Sequence, residues 1–349
     1  MEAAPIMSEV AIPHHPLIVA EISGNHNGSL NRALEIVEAV AKSGAHAVKI
    51  QTYTADTITL NVDSPAFRVS EGHELWGNRT LYDLYQEAHT PWEWHEPIFS
   101  LAKELGLLAF STPFDESAVD FLESLDVPMY KIASLEIVDL PLIHLVAGTG
   151  KPMILSVGTA TISEVASAVD SARAGGCTDL TLLACTSSYP AIPDDANLRR
   201  MPVMAELFGC KVGLSDHTLG IGVAVAATAL GASVIEKHVT LARADGGVDS
   251  AFSLEPHELR QLVDECDSAA RALGAADVWS TAAENESLRL RPSLYITTTV
   301  KQGQLVSHEN VRSVRPAGGL PPAELDNVIG RRFSRSATIG TPVNWDLLA

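Results

Sequence analysis

The sequence predicts a (β/α)8 barrel of the TIM type followed by a small C-terminal domain. Its 349 residues exceed one ordinary domain and suit a barrel of roughly 250 residues plus a second module. A unit of a short β-rich run, polar residues and a helical pattern recurs along most of the chain. Near Ser293 this repeat stops, and shorter runs separated by tight turns begin.

The β-rich runs are short enough to be buried strands, and each is followed by polar residues. They are Leu17–Ser23, Ala47–Tyr53, Leu107–Thr112, Met129–Ser134, Met153–Val157, Leu180–Thr186, Lys211–Ser215 and Val234–Thr240. Strands and helices alternating in this way are typical of a closed parallel barrel. An open dinucleotide-binding sheet is disfavoured because no Gly-x-Gly-x-x-Gly sequence follows the first run.

Helical patterns between these runs end at glycines, as in Leu30–Ser43 before Gly44 and Ser163–Ala174 before Gly175. The last helix of the barrel is expected at Pro256–Gly274. We therefore divide the chain into an N-terminal arm (1–16), a barrel (17–275), a linker (276–292) and a C-terminal domain (293–349). A domain of that size buries only a small core.

The segment between the second run and the next helix, residues 54–91, is longer than the other connections. It contains Phe67, Trp76, Tyr82 and Tyr85. On the catalytic face of a barrel, such an insertion could form a lid or a substrate wall. It could equally be a packed surface excursion, and the sequence leaves both interpretations open.

Composition excludes several classes of protein. A net charge of -19 without a long basic run argues against nucleic-acid binding. The four cysteines form no CxxC pair, which favours a reducing compartment. The N-terminus lacks the pattern of a secretory signal, and Ile221–Ile235 is too short to span a membrane. We expect a cytoplasmic enzyme with no membrane and no nucleic-acid partner.

Two histidines, His217 and His238, end the seventh and eighth runs. The carboxyl ends of barrel strands form the catalytic mouth, so these imidazoles are expected to converge. Two neutral imidazoles suit Mn²⁺, Zn²⁺, Co²⁺ or Fe²⁺ better than Ca²⁺ or Mg²⁺. Glu236 or Asp216 could orient them. Hydrogen-bonded structural histidines are the alternative.

Two lysines, Lys49 and Lys131, lie within apolar runs. A buried ammonium requires an anionic partner, either an internal carboxylate such as Glu21 or a bound phosphate or carboxylate. The nearby hydroxyl donors Thr112, Ser134, Ser156 and Ser215 suit a small, multiply charged anion. Pairing with internal carboxylates alone remains the alternative.

Further polar side chains follow the strand runs on the same face of the barrel. They are Glu21, Gln51, Glu136, Ser187 and Tyr189. After the eighth run, the Gly246-Gly247 pair predicts a tight turn that presents Asp249 to the mouth. A solvated charged loop is the alternative for that segment.

The sequence resembles the sialic acid synthase family of metal-dependent, phosphoenolpyruvate-using enzymes. The resemblance runs from about Leu17 to the C-terminus and is carried by the motifs AEISGNHNG, AVKIQTY, FSTPFD, YKIAS, CTSSYP, GLSDHT, VIEKHVT and RPAGGLPP. It implies that the C-terminal domain is an antifreeze-like (SAF) domain. It also implies a domain-swapped homodimer in which Arg315 enters the active site of the other subunit.

The resemblance assigns a role to each matching position. His217 and His238 would hold the divalent metal, with Mn²⁺ preferred and Mg²⁺ or Co²⁺ possible. Phosphoenolpyruvate would be bound by Lys49, Thr112, Lys131, Ser134, Ser156 and Ser215. The amino-sugar aldose would be bound by Glu21, Gln51, Tyr189, Asp249 and Arg315. Glu21 and Glu136 are candidates to stabilise a developing cation or to activate water.

Within the family, the chain is most similar to the pseudaminic acid synthases, through GNHN, SLEIVDLPLI, LYDLYQEAHTPWEWH and ADGGVDSAFSLEP. This branch implies 2,4-diacetamido-2,4,6-trideoxy-L-altrose as the acceptor. Asn27 departs from the NHEG of N-acetylneuraminate and legionaminate synthases, which are the alternatives. Ser187 replaces an asparagine, so its contact with phosphoenolpyruvate is open, and RPAGG replaces RPGxG after Arg315.

Three other functions are less consistent with the sequence. A Schiff-base aldolase would use Lys131 or Lys49 as the nucleophile and would need a depressed lysine pKa. A metal-dependent barrel hydrolase is disfavoured because the first run lacks a His-x-His sequence. A binding protein would not require two lysines and two histidines around one barrel mouth.

Overall fold

A computed structural model describes residues 15–70, 75–274 and 281–349. Nearly all of the expected N-terminal arm lies outside these residues. The chain divides into two compact units, Met1–Ala275 and Ala276–Ala349. None of the described helices is long and apolar enough to cross a lipid bilayer.

The first unit is the predicted barrel, with eight parallel strands closed in sequence order. The strands are β1 Leu17–Glu21, β2 Ala47–Thr52, β3 Leu108–Pro113, β4 Tyr130–Ile132, β5 Met153–Ser156, β6 Leu180–Cys185, β7 Lys211–Asp216 and β8 Val234–His238. Strand β1 pairs with both β2 and β8, so that Glu21 is opposite Lys49 on one side and His238 on the other. Closure therefore joins the first strand to the last.

Ten helices belong to the described part of this unit. They are α1 Leu30–Ser43, α2 Ala55–Ile58, α3 Leu81–Ala88, α4 His95–Glu104, α5 Glu116–Ser124, α6 Leu140–Ala147, α7 Ile162–Ala174, α8 Arg200–Phe208, α9 Gly222–Ala229 and α10 Pro256–Leu273. The N-cap of α1 is Ser29, whose side chain accepts a hydrogen bond from the Arg32 N–H. The helix ends at Gly44, which adopts the left-handed conformation that favours glycine.

The long segment after β2 contains α2, a 3-10 turn at Pro65–Phe67 and α3. An isolated bridge between Arg68 and Thr80 joins its two arms. The segment is thus largely structured within its described residues.

Most of the apolar core lies between the sheet and the surrounding helices, where Ile36 and Val40 of α1 pack with Ile18 of β1. A second, smaller cluster lies inside the barrel. It contains Val19, Ala47, Phe110, Ile154, Leu183 and Val234. Filling the barrel interior with side-chain layers makes it a packed core.

The second unit contains an antiparallel pair, β9 Ser293–Ile296 and β10 Val311–Val314, and its own apolar core around Phe333. Short helices α11 Asn285–Leu288 and α12 Leu325–Val328 accompany the strands. The expected linker, 276–292, falls in this unit; its described part contains α11 and a 3-10 turn at Ala282–Glu284. Capping by Thr281 and Glu284 explains this local helical structure.

Candidate active site

Polar side chains face the barrel interior at the carboxyl ends of the strands. The β7–β8 register places Ser215 opposite Glu236, and the β2–β3 register places Gln51 opposite Thr112. Side chains alternate between the two faces of a strand, so residues two apart share the interior face. A cavity of ≈ 480 Å³ opens at this mouth.

Lys49 is buried within a group of carboxylates. Its Nζ contacts Glu21 Oε2, lies 3.8 Å from Glu236 Oε2 and donates to Thr112 Oγ1 at 3.2 Å. Burial by itself would lower the pKa of Lys49, but Glu21 and Glu236 raise it above its ordinary value. The side chain is therefore held as a cation by internal partners.

Lys131 is less well neutralised. Its Nζ donates to Ser156 Oγ at 2.7 Å and to the Ile132 carbonyl at 3.1 Å, and Glu236 Oε1 is 3.9 Å away. Burial lowers the pKa of Lys131 below its ordinary value; Glu236 opposes this, whereas the charge of Lys49 adds to it. An added anion at this position would stabilise the ammonium group.

The two predicted histidines lie side by side, with ring centroids 5.2 Å apart. His217 Nδ1–H donates to the Thr186 carbonyl at 3.0 Å, since a carbonyl oxygen can only accept. This bond leaves the Nε2 lone pair of His217 available. Burial, reinforced by the charge of His217, holds the pKa of His238 well below its usual range.

These histidines fit a divalent transition metal on structural grounds. His238 Nδ1 is buried without a hydrogen-bond partner among the described residues, and an unsatisfied buried nitrogen is costly. A neutral imidazole with a free nitrogen is the form that coordinates metals. Within the described ranges, no group of three or more His, Cys, Asp or Glu residues is placed to hold a metal. Oxygen ligands from water or substrate would complete the coordination of such an ion.

Two carboxyl groups at the mouth have raised pKa values. Burial raises the pKa of Glu136 to about 7, and its Oε2 has no hydrogen-bond partner among the described residues. Burial also raises the pKa of Asp249 to about 6, although the Gly24 N–H, which donates to Oδ2 at 3.3 Å, opposes this change. Both groups can exchange protons near neutral pH.

Most of the residues that the sequence singled out line this one cavity. They are Lys49, Gln51, Thr112, Lys131, Ser134, Glu136, Ser156, Ser187, Tyr189, Ser215, His217, His238 and Asp249. Glu21 is buried beside the cavity, where Oε1 accepts from Gln51 Nε2 at 3.2 Å and from Ser23 Oγ at 2.9 Å. Their convergence was predicted from strand ends, while their individual roles remain predictions.

Ser134 and Ser187 approach each other across Gly158. A Cβ at Gly158 would lie 2.5 Å from Ser187 Oγ and 2.9 Å from Ser134 Oγ. A side chain there would therefore force both hydroxyl groups to shift. The Gly158 N–H donates to Ser134 Oγ at 3.2 Å.

Neither carboxylate that we expected to orient the histidines bonds to a histidine ring in the described structure. Asp216 Oδ2 accepts from Lys237 Nζ at 2.8 Å, and its Oδ1 accepts from the Thr218 N–H at 2.9 Å. Strand alternation places Asp216 and Lys237 on the opposite face from the histidines. Glu236 accepts instead from Ser215 Oγ at 3.0 Å.

Family comparisons agree with this architecture. Residues 36–278 match the NeuB family, and residues 291–349 match the SAF domain. The chain belongs to the NeuB family.

Curated relatives extend the similarity over almost the whole chain. Pseudaminic acid synthase from Helicobacter pylori is 43% identical over 95% of this chain and 97% of its own. Pseudaminic acid synthase from Campylobacter jejuni serotype O:2 is 42% identical over 93% and 94%. The Legionella pneumophila N,N'-diacetyllegionaminic acid synthase is 36% identical over 94% and 93%. The alignments therefore span more than nine tenths of this chain and of each relative.

Solved structures of the family also match. The N-acetylneuraminic acid synthetase from Leptospira borgpetersenii aligns with a TM-score of 0.70 and 30% identity, covering 81% of this chain and 94% of that one. The spore coat polysaccharide biosynthesis protein SpsE from Bacillus subtilis aligns with a TM-score of 0.64 and 31% identity, covering 96% and 95%.

Arg315 of this NeuB-family chain lies in the SAF domain, directly after β10. Its peptide bond to Pro316 is cis. The structure places it in the second compact unit, so its predicted entry into the site of another subunit remains a prediction.

Cys185 and Phe252 are among the residues at the mouth that sequence reasoning missed. Cys185 lines the cavity; burial would raise its thiol pKa, but a hydrogen bond with His217 and the His217 charge lower it to about 7. Phe252 packs against His238 and Tyr189, with ring centroids 5.0 and 5.3 Å apart. Cys185 could have been recognised because it ends β6, but the position of Phe252 depends on the fold of the loop after β8.

Proposed function

We propose that this protein is a pseudaminic acid synthase. It would condense phosphoenolpyruvate with the open-chain aldehyde of 2,4-diacetamido-2,4,6-trideoxy-L-altrose and water, giving pseudaminic acid and phosphate. The observation that carries the proposal is the pairing, in one cavity, of an incompletely neutralised buried lysine with two histidines. The identity to pseudaminic acid synthases over nearly the full chain supports the choice of acceptor.

The lysines and hydroxyl groups account for binding of the anionic substrate. Lys131 and Ser156 at one side, with Lys49 and Thr112 at the other, present an array of donors to a phosphate or carboxylate. The overall field of the protein repels anions, so this local array must supply the attraction. Ser134, Ser187 and Ser215 extend the array along the cavity wall.

His217 and His238 would hold a divalent metal, which we propose to be Mn²⁺, with Mg²⁺ or Co²⁺ as alternatives. When bound, such an ion supplies Lewis acidity toward an aldehyde oxygen. The histidines would thereby fix the acceptor's reactive carbon next to the phosphoenolpyruvate held by the lysines. Phe252 packs against His238 and makes that side of the site apolar.

The carboxylates account for the remaining chemistry. The reaction forms a C–C bond between C3 of phosphoenolpyruvate and the aldehyde carbon, and it breaks the bond between C2 and the phosphate-ester oxygen. Water supplies the oxygen that stays on C2 and must lose its protons. Glu21 contacts Lys49 and can stabilise positive charge at C2, whereas Glu136, with its raised pKa of about 7, can accept a proton.

Phosphate release tests the proposal. Purified protein is incubated with phosphoenolpyruvate, Mn²⁺ and a panel of amino sugars, and turnover is expected with the altrose derivative. Activity with N-acetylmannosamine but not with the altrose derivative would instead indicate an N-acetylneuraminate synthase.

Histidine variants test the metal site independently of turnover. His238→Ala is expected to abolish Mn²⁺ binding, measured by calorimetry, together with activity. His144→Ala on α6 is the matched control, because this histidine is exposed on the outside of the barrel. A fully active His238→Ala protein would contradict the assignment.

A Schiff-base aldolase remains a second candidate because burial lowers the pKa of Lys131, as such a nucleophile requires. Borohydride reduction in the presence of an aldehyde substrate would trap a covalent adduct on that lysine. The synthase proposal expects no adduct and full sensitivity to a chelator.

We also propose a cytoplasmic, domain-swapped homodimer. Four free cysteines, distributed over the barrel, support a reducing compartment. For the dimer, Arg315→Ala and His238→Ala subunits would be mixed after each is shown to be inactive. A swapped dimer places both lesions in one site and leaves the other intact, so mixing should restore part of the activity. If Arg315 serves its own subunit, mixing restores nothing.

A further inference from the structure

The residues that line the cavity differ in polarity according to the part of the chain from which they come. Strand ends and the loops that follow them contribute the lysines, carboxylates, histidines and most hydroxyl groups, whereas every lining residue of the long segment after β2 is aliphatic or aromatic. We call the larger of these residues the apolar wall. It consists of Ile58, Val69, Trp76, Leu81, Leu84 and Tyr85. The Tyr85 hydroxyl and the Trp76 indole N–H are its polar groups.

Contacts with the barrel fix the position of the apolar wall. Trp76 Nε1–H donates to the Val248 carbonyl at 2.8 Å, on the loop that carries Asp249. At Gly24, after β1, a Cβ would lie 2.6 Å from Val248 Cγ2 and 3.3 Å from Ala88 Cα at the end of α3. Three chain segments therefore meet at this glycine with no room for a side chain. The wall is a packed side of the cavity in the structure.

Aromatic contacts connect the apolar wall to the histidines. The Trp76 ring lies 5.5 Å from the Tyr189 ring, which lies 4.4 Å from the His217 ring. The apolar wall therefore lies one aromatic ring away from the histidines, within reach of the far end of a six-carbon acceptor whose aldehyde lies at the histidines. That end carries the chemical difference between a 6-deoxy sugar, with a methyl group, and an ordinary sugar, with a hydroxymethyl group.

We propose that the apolar wall binds the C6 methyl group of the acceptor and thereby selects 6-deoxy sugars. This inference rests on the proposed function. A C6 hydroxyl group would lose its water on entering the wall without gaining a matching set of partners, which is unfavourable. An apolar pocket discriminates against an added hydroxyl group by roughly 100-fold in kcat/KM.

Two acceptors and three variants test the wall. The acceptors are 2,4-diacetamido-2,4,6-trideoxy-L-altrose and its counterpart with a hydroxyl group at C6. Val69→Thr and Ile58→Thr each place a hydroxyl group in the wall at a half-buried position. Val62→Thr is the matched control, because Val62 belongs to the same segment but is 43% exposed and does not line the cavity.

The wild-type enzyme should prefer the 6-deoxy acceptor, and each wall variant should reduce the ratio of the two kcat/KM values by roughly 3- to 10-fold. Val62→Thr should leave the ratio unchanged, and KM for phosphoenolpyruvate should stay constant in all three variants. Equal use of both acceptors by the wild type, or unchanged ratios in folded wall variants, would overturn the inference alone. If neither acceptor is turned over, both the proposed function and this inference are overturned.

Discussion

The barrel interior consists of two layers that differ in chemistry although the same strands build both. Val19, Ile154 and Val234 belong to the lower, apolar layer. Two residues later on the same strands, Glu21, Ser156 and Glu236 belong to the upper layer at the mouth. A step of two residues along a strand thus changes the interior from apolar to charged.

The two layers therefore differ in their roles: the lower layer stabilises the barrel, and the upper layer supplies the groups for function. Apolar residues of the lower layer gain free energy from burial without any partner. The upper layer buries Lys49 and Lys131 with Glu21 and Glu236, and the desolvation of such groups offsets much of their mutual attraction. The upper layer should therefore matter more for ligand binding than for stability.

The largest effect is expected from removing the charge of Lys131. Lys131→Met should lower kcat/KM for phosphoenolpyruvate by on the order of 1000-fold, because a charged contact worth roughly 3–5 kcal/mol is lost. The free energy of unfolding should change little, because burial already disfavours the Lys131 ammonium group and Glu236 keeps Lys49 as a partner. Steady-state kinetics and urea unfolding measure the two quantities. Lys211→Met is the control, as this lysine is 60% exposed. A large loss of stability would contradict the contrast between the layers.

The next effect concerns the lower layer. Phe110 is fully buried inside the barrel, and Phe110→Ala should lower the free energy of unfolding by roughly 3–5 kcal/mol through lost burial and a new cavity. Urea unfolding gives the value, and kcat/KM well below the unfolding midpoint should be nearly unchanged. A folded Phe110→Ala protein with strongly reduced kcat/KM would show that the two layers are coupled.

The mouth should also make stability depend on pH, through Glu136 of the 3-10 turn that follows β4. Burial raises its pKa from an ordinary value near 4.5 to about 7 in the folded state. The folded protein therefore binds more protons between these values, so Glu136 lowers stability as the pH rises from 4.5 to 7. Because the side chain is partly exposed, the change should be only ~1–2 kcal/mol.

Glu136→Gln should flatten this part of the profile, measured by unfolding at pH 5 and pH 8. The lower-layer substitution Phe110→Ala should shift both values equally. If Glu136→Gln leaves the slope unaltered, the carboxyl group titrates normally.

The smallest effects are expected at two positions of β5, one in each layer. Ile154→Val removes one methylene group from the lower layer and should cost roughly 0.5–1.5 kcal/mol of stability with unchanged kinetics. Ser156→Ala removes the hydroxyl group that accepts from Lys131, so it should weaken phosphoenolpyruvate binding with little effect on unfolding. The opposite pattern would mean that the boundary between the layers lies elsewhere.

The fold was predictable because its signal is repeated. Eight β-rich runs with helices between them indicated the barrel, and all eight strands end within two residues of their predicted ends. Strand β4 is shorter, Tyr130–Ile132 instead of Met129–Ser134, because Ser134 begins the 3-10 turn at Leu135–Val138. Strand ends depend on pairing with neighbours, which a single run of sequence does not specify.

The site was predictable in position but not in its pairings. Strand ends identified the histidines and lysines, since adjacent parallel strands bring their carboxyl ends together. Which carboxylate reaches which cation depends on side-chain conformations across the barrel. Glu236 therefore proved to serve Lys49 and Lys131, and Asp216 serves Lys237 outside the mouth. The apolar wall depends on tertiary contacts of a long segment, which left its role open in the sequence.

Pairing of β1 with β8 has a consequence for how the protein is made. The register sets Glu21 of the first strand opposite His238 of the last. While β8 is still inside the ribosome, the part of the chain that has emerged lacks both His238 and Glu236. The histidine pair is then incomplete. The groups that we propose to bind metal and anion therefore assemble only when the barrel closes, and non-local contacts of this kind form slowly. Metal uptake would then mark the completion of folding.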